Sequence, residues 1–157
     1  FYDAYLKKNP EDLDIRRNLA HEYFENQEFG SAIQEYKQLL KIYENDIEAL
    51  NNIGLAYLEV NDVSDAKKYL EKALEFYPNN HVVLNNNGIL QYELGNYNNA
   101  KQFFEEALEN KSDFSAANNN LGLITSFDTI NEGIAILKIS LTNDPNNQLL
   151  KNNLKKL

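Results

Sequence analysis

Asparagine side chains recur in this sequence at a fixed spacing that suits hydrogen-bond recognition. One set is Asn18, Asn52, Asn86 and Asn120, spaced 34 residues apart, and the residues before the last three are Asn51, Asn85 and Asn119. A carboxamide offers two N–H donors and a carbonyl acceptor, so one side chain can pair with both polar groups of an extended peptide unit. An asparagine at each step of a regular array would therefore bind polypeptide backbone, with a net ~0.5–1.5 kcal/mol for each hydrogen bond.

No arrangement typical of an enzyme accompanies these amides. The sequence contains no nucleophile–base pattern, no phosphate-binding loop and no G-x-S-x-G turn. The two histidines, His21 and His81, lack metal-ligand spacing, and the absence of cysteine excludes thiol chemistry and cysteine–zinc sites. We therefore predict a protein that is not an enzyme and that uses no cofactor or metal.

Composition and charge exclude further classes of function. The net charge of −9 argues against nucleic acid, whose phosphates require a basic face. No apolar run approaches the roughly 18 residues of a membrane span, and no basic-then-apolar signal stands at the N-terminus. We expect a folded, soluble protein without membrane insertion; its compartment stays open, with the cytoplasm preferred.

The asparagines belong to a 34-residue repeat. Small residues share its register: Ala20, Gly54, Gly88 and Gly122, then Ala32, Ala66 and Ala100, with Gly133 one residue early. Each unit reads as two amphipathic helices, about 13–26 and 30–43 in the first repeat, joined by a short turn. The small residues would let the first helix lie close against the second, where a larger side chain would overpack at ~1–3 kcal/mol. Pro78 and Pro145 are predicted to end second helices.

This pattern resembles the tetratricopeptide repeat (TPR) family. The second repeat carries the residues of the family motif at Leu50, Ile53, Gly54, Tyr57, Ala66, Leu70, Ala73 and Pro78. The resemblance implies an all-α fold, an α-α superhelical solenoid that serves as a binding scaffold for another protein. It divides the chain into the end of a preceding repeat at 1–12, four repeats at 13–46, 47–80, 81–114 and 115–147, and a C-terminal capping helix at 148–157.

The first helix of each repeat is predicted to line a concave surface. On a helical wheel, repeat positions 2, 5, 6, 9, 12 and 13 lie opposite the core side, and in the family that side faces the inner wall. The predicted peptide-binding residues are Arg17, Asn18, His21, Phe24, Asn51, Asn52, Leu55, Leu58, Glu59, Asn85, Asn86, Ile89, Tyr92, Glu93, Asn119, Asn120 and Leu123.

These residues form three rows with different chemistry. The asparagine ladder runs along position 6 and continues at Asn153 in the last helix. The apolar row consists of Phe24, Leu55, Leu58, Ile89, Tyr92, Leu123 and Phe127, and the acidic row of Glu25, Glu59 and Glu93. Aligned apolar side chains facing solvent are typical of an interaction surface. With the glutamates beside them, they favour an extended peptide segment that is hydrophobic and basic in part.

Several interpretations stay open. A similar asparagine ladder lines the superhelix of the O-linked N-acetylglucosamine transferase, where it contacts peptide backbone, and the likeness is confined to that position. The ladder here either binds backbone or is the family default in an asparagine-rich chain. Besides a non-catalytic scaffold, the repeats could be the substrate-recognition part of a larger, glycosyltransferase-like enzyme. They could also self-assemble as a homo-oligomer, with the partial N-terminal unit or the convex face docking on another copy. The apolar row itself could be covered by a missing terminal segment or by a second copy of the chain.

Overall fold

The fold is built from helices alone in the part of the chain that the structure describes. A computed structural model describes residues 2–9, 11–126 and 130–156, with the side chains of residues 3 and 130–132 outside that description. Every regular element in these ranges is an α-helix. The predicted all-α class is therefore confirmed.

The chain divides into two compact units, residues 1–77 and 78–157. The first unit contains α1 (Tyr2–Leu6), α2 (Leu13–Glu25), α3 (Phe29–Ile42), α4 (Ile47–Glu59) and α5 (Val63–Phe76). The second contains α6 (His81–Glu93), α7 (Tyr97–Asn110), α8 (Ser115–Ser126), α9 (Ile130–Asn143) and α10 (Gln148–Leu154). Within each unit every helix packs against the next one in the chain, and α2 also contacts α4, α6 contacts α8, and α8 contacts α10. These neighbours are those of an α-α solenoid, in which a repeat packs on the one before it.

The helices begin and end where the sequence signals lie. The first repeat has helices at Leu13–Glu25 and Phe29–Ile42, within a residue of the predicted spans. Helices α5 and α9 end two residues before Pro78 and Pro145, as predicted. At several N-termini a side chain of the preceding residue accepts a backbone N–H of the first turn, which stabilises a helix by ~1 kcal/mol. These caps are Asp12, Asp46, Asp62, Asn80 and Asn147.

The turn between the two helices of a repeat requires a left-handed backbone at one fixed position. Gln27, Asn61 and Gly95 have φ values of 62°, 59° and 77°, and they lie 34 residues apart. A side chain makes this conformation cost about 1–2 kcal/mol, a penalty that glycine avoids. The repeat therefore fixes a backbone conformation as well as a pattern of side chains.

The small residues of the repeat lie where the two helices of a pair cross. A Cβ atom added to Gly54 would lie 2.5 Å from Leu70 Cγ, one at Gly88 would lie 2.4 Å from Phe104 Cε1, and one at Gly122 would lie 2.7 Å from Leu137 Cγ. These three partner side chains are buried, with at most 2% exposed. The predicted packing role of the glycines is confirmed by these contacts.

We expect Gly88→Ala to lower the free energy of unfolding by about 1–2 kcal/mol. Overpacking against the buried Phe104 ring outweighs the ~1 kcal/mol that alanine gains over glycine in a helix. The matched control is Gly30→Ala on α3, where an added Cβ meets nothing within 4 Å, so stability should rise by about 0.5–1 kcal/mol. Urea denaturation followed by circular dichroism measures both, and equal changes of the same sign would contradict the packing argument.

Candidate functional site

The asparagines of the second unit form a continuous chain of side-chain hydrogen bonds, which we call the asparagine seam: Asn85, Asn86, Asn119, Asn120 and Asn153. Asn153 Nδ2 on α10 donates to Asn119 Oδ1 on α8 at 2.8 Å, and Asn120 Nδ2 donates to Asn85 Oδ1 on α6 at 3.0 Å. Within each pair, Asn85 Nδ2 lies 3.2 Å from Asn86 Oδ1, and Asn119 Nδ2 lies 3.5 Å from Asn120 Oδ1. The seam therefore joins the first helices of three successive repeats.

Burial explains why these amides pair with one another. Asn85, Asn86, Asn119 and Asn153 have only 4–5% of their surface exposed, and a buried amide without a partner costs ~1–3 kcal/mol. We expected the amides of Asn85, Asn86 and Asn119 to face a bound backbone. Instead they lie inside the unit and connect its helices. The position-6 amide of one repeat is bonded to the position-5 amide of the repeat before it.

The first unit satisfies its asparagines differently because Arg17 stands at position 5 of the first repeat. A guanidinium has no acceptor to offer, and Asn52 Nδ2 donates instead to the hydroxyl of Tyr36 at 3.1 Å. Tyr36 is fully buried, and burial raises the pKa of its hydroxyl to about 12. Asn51, 4% exposed, donates to the carbonyl of Ile47 in its own helix at 3.0 Å.

Arg17 lies among carboxylates of its own unit. It pairs with Asp46, while Asp14 Oδ1 lies 3.5 Å from Nη1 and Glu48 Oε2 lies 3.7 Å from Nε. The hydrogen bond to Asp46 raises the pKa of the guanidinium, against a smaller lowering by burial. Three carboxylates around one guanidinium leave an excess of negative charge at this place. The predicted binding residue Arg17 is thus largely engaged within the chain.

The apolar row is only half-buried on most of its length. Leu55, Leu58 and Leu123 are half-buried on α4 and α8. Ile89 packs against the cluster around Phe104, and Tyr92 is 38% exposed with its ring 5.4 Å from that of Tyr97.

At the N-terminal end of the row, the ring of Phe24 packs edge to face against the ring of Phe29, with the ring centres 5.5 Å apart. Phe127, the other end of the predicted row, lies outside the described residues. The row therefore keeps accessible surface on both units.

Most of the remaining predicted residues are exposed. Asn18, His21, Glu59 and Glu93 are exposed, and Asn120 is half-buried. Asn18 and His21 line a cavity of about 380 Å³ together with Tyr2 and Glu22. The structure therefore brings two members of the predicted set, Asn18 and His21, together with a side chain of α1.

Sequence reasoning did not single out two groups that line larger cavities. Tyr43 and Tyr77 line a cavity of about 400 Å³ with Arg17 and Glu48. They are 34 residues apart, so the repeat register was a signal that could have found them. A cavity of about 690 Å³ lies at the turn between α6 and α7, lined by Gly95, Asn96, Tyr97, Asn98, Asn99, Lys101 and Ile124.

Among the side chains that the structure describes, no group of three histidine, aspartate or glutamate residues could hold a metal ion. Across residues 2–9, 11–126 and 130–156, no helix combines the length and apolar character needed to cross a bilayer.

Comparison with protein-family models gives three matches in successive parts of the chain. Two models described as "Tetratricopeptide repeat" match residues 47–80 and 83–114, and one described as "TPR repeat" matches residues 20–61. Together they span 20–80 and 83–114. No curated protein matches the sequence.

Solved structures of similar fold come from several proteins. A thermophilic TPR protein of Thermus thermophilus superposes with a TM-score of 0.86 at 18% identity, over 99% of this chain and 86% of that one. PilW, a type IV pilus biogenesis factor, gives 0.79 at 20% identity, over 94% and 69%. MamA gives 0.68 at 19% identity, over 92% and 80%. At these identities the likeness shows the fold.

We expect Asn119→Ala to lower the free energy of unfolding by about 1–3 kcal/mol, because Asn153 loses a buried acceptor. Asn153→Ala should cost a similar amount, and the double variant should cost less than the sum, with a coupling of about 1 kcal/mol. Asn98→Ala, at an exposed position on α7, is the matched control and should change stability by less than about 0.5 kcal/mol. Urea denaturation measures all four proteins. Additive losses would show that the seam does not couple α8 to α10.

Proposed function

The chain belongs to the tetratricopeptide repeat family, and from that membership we propose that it is a non-catalytic scaffold that binds an extended segment of another protein. TPR proteins are generally non-catalytic scaffolds for protein interaction. We propose the repeat boundaries 13–46, 47–80, 81–114 and 115–147, since each range encloses one pair of packed helices. The proposed binding surface of each unit is formed by its first helices, α2 and α4 in one unit and α6 and α8 in the other.

The observation that carries this proposal is the accessible apolar row on the first helices. Leu55 and Leu58 keep part of their surface on α4, one turn apart, with the exposed carboxylate of Glu59 next to them. Tyr92 and the exposed Glu93 repeat this arrangement in the second unit. Apolar side chains in line, rimmed by carboxylates, suit a segment that alternates apolar and basic residues.

The asparagine seam changes how the partner would be recognised. The amides of Asn85, Asn119 and Asn153 are hydrogen-bonded to one another and to their neighbours inside the second unit. Few asparagine amides of that unit therefore remain to bind the backbone of a ligand. Affinity in that unit then comes from side chains that contact the apolar row. The exposed Asn18 and His21 keep polar groups available in the first unit. We therefore expect binding that is selective for the side chains of the partner. A ladder of unpaired asparagines would instead bind any peptide backbone, whatever its sequence.

We expect Leu55→Glu with Leu58→Glu to weaken binding of peptides selected from a random peptide library by at least ~10-fold, which is about 1.4 kcal/mol. New carboxylates at these positions would have to be desolvated against an apolar ligand. The selected peptides should be rich in leucine or aromatic residues and in lysine or arginine. Fluorescence polarisation measures the affinities, and far-UV circular dichroism with thermal melting checks that the variant stays folded.

Two further variants make this test selective. Ile42→Glu adds a carboxylate at a position on α3 that is 52% exposed, and it should leave peptide affinity within about 2-fold of wild type. Glu59→Lys, also exposed, should reduce affinity for basic peptides without changing the melting temperature. If Ile42→Glu weakens binding as much as the leucine variant does, the apolar row is not the binding surface.

A further inference from the structure

The cavity lined by Tyr43 and Tyr77 has walls of two kinds. Tyr43 is 51% exposed, and Tyr77 is held in place because its hydroxyl donates to the carbonyl of Asn45 at 2.6 Å. The cavity measures about 400 Å³, and Arg17, Asp46 and Glu48 also contribute to its lining. Such a space admits a long side chain of a ligand. The tyrosines of the cavity would lie beside that side chain, and the carboxylates would lie at its end.

The carboxylates of Asp46 and Glu48 differ in the partners that they have within the chain. Asp46 accepts the N–H of Ala49 at 2.9 Å with Oδ1 and pairs with Arg17 through Oδ2. Glu48 has 46% of its side chain exposed and stands 3.7 Å from Arg17. Asp14, Asp46 and Glu48 together carry three negative charges beside the single positive charge of Arg17, so the Glu48 carboxylate can pair with a second cation as well. The cavity therefore lies beside more negative charge than Arg17 neutralises.

The net charge of the whole first unit also favours binding of a cation. Residues 1–77 hold 9 basic and 16 acidic side chains, a balance of −7, whereas residues 78–157 hold 6 and 8, a balance of −2. The unit also places its own cations over aromatic rings. Lys37 Nζ lies 5.3 Å from the centre of the Tyr57 ring, and Lys72 Nζ lies 5.7 Å from that of Phe76. A cation over an accessible ring is stabilised by ~0.5–1 kcal/mol, and the same chemistry is available at Tyr43.

We propose that this cavity binds one arginine side chain of the partner segment, with the guanidinium stacked on Tyr43 and donating to Glu48. The planar guanidinium stacks on an aromatic face and donates two parallel hydrogen bonds to a carboxylate, which an ammonium group cannot do. This inference rests on the proposed function in one respect, because it assumes that the cation belongs to a bound polypeptide. It adds a specific arginine subsite at the N-terminus of α4 to the apolar contacts proposed for the first helices.

The test compares two short alanine–leucine peptides, one with a central arginine and one with citrulline, which has the same shape without the charge. Wild-type protein should bind the arginine peptide at least ~5-fold more tightly by fluorescence polarisation. Glu48→Gln and Tyr43→Leu should each remove most of that preference. Glu71→Gln, which makes the same charge change on α5 at a side chain 53% exposed, and Phe76→Leu should keep it within about 2-fold.

The outcomes are distinct. Equal binding of the two peptides by wild type, or equal loss of preference in Glu48→Gln and Glu71→Gln, overturns the subsite and leaves only the general attraction of an acidic unit. A second arm uses N-acetyl-arginine amide and its citrulline analogue, followed by NMR at the Tyr43 and Tyr77 resonances. If neither peptide binds but the arginine amide alone shifts these resonances, the proposed groove fails and the subsite stands. If the amide shifts nothing, the subsite fails whatever the peptides do.

Discussion

Close contact between the two helices of each repeat is the constraint on which the rest of the structure depends. At Gly54, Gly88 and Gly122 the space of a Cβ atom is already taken by a side chain of the second helix. In the last pair the approach involves main-chain atoms, because a Cβ at Gly133 would lie 2.7 Å from the carbonyl oxygen of Gly122. A crossing of this kind admits one separation and one rotation of the pair. The same crossing geometry also determines which side chains face the core and which face solvent.

The same compactness determines the fate of the asparagines. First helices of neighbouring repeats lie close enough in the second unit for the position-5 and position-6 amides to leave water, and amides that leave water must find partners. Since each carboxamide can donate and accept, pairs of asparagines satisfy one another along the seam without any other residue type. In the first repeat the pattern is interrupted at Arg17, and the amide of Asn52 turns to the buried hydroxyl of Tyr36 instead. One polar motif thus has two structural solutions in a single chain.

The two units differ in the chemistry that they leave accessible. The first unit carries most of the net charge and keeps Asn18, His21 and Glu48 accessible near tyrosine rings. The second has its inner amides paired, and its first helices present Tyr92, Leu123 and the carboxylate of Glu93. A partner segment that contains an arginine would match the chemistry of the first unit. Electrostatic attraction of this kind contributes mainly to specificity and to the rate of association.

What the sequence by itself determined was the fold: the 34-residue period, the helix spans of the first repeat, the proline-terminated second helices and the glycines at the crossings. These features are local or periodic, so neighbouring residues suffice to specify them. The role of the amides was decided only by the tertiary structure. A helical wheel places Asn85, Asn86 and Asn119 on the inner face, but it cannot show that an amide 34 or 35 residues away lies within hydrogen-bond distance. Likewise, Tyr43 and Tyr77 become walls of one cavity only when packing brings Arg17 and Glu48 between them. Pairing and burial depend on distances between repeats, and these are fixed by the packing of whole helices.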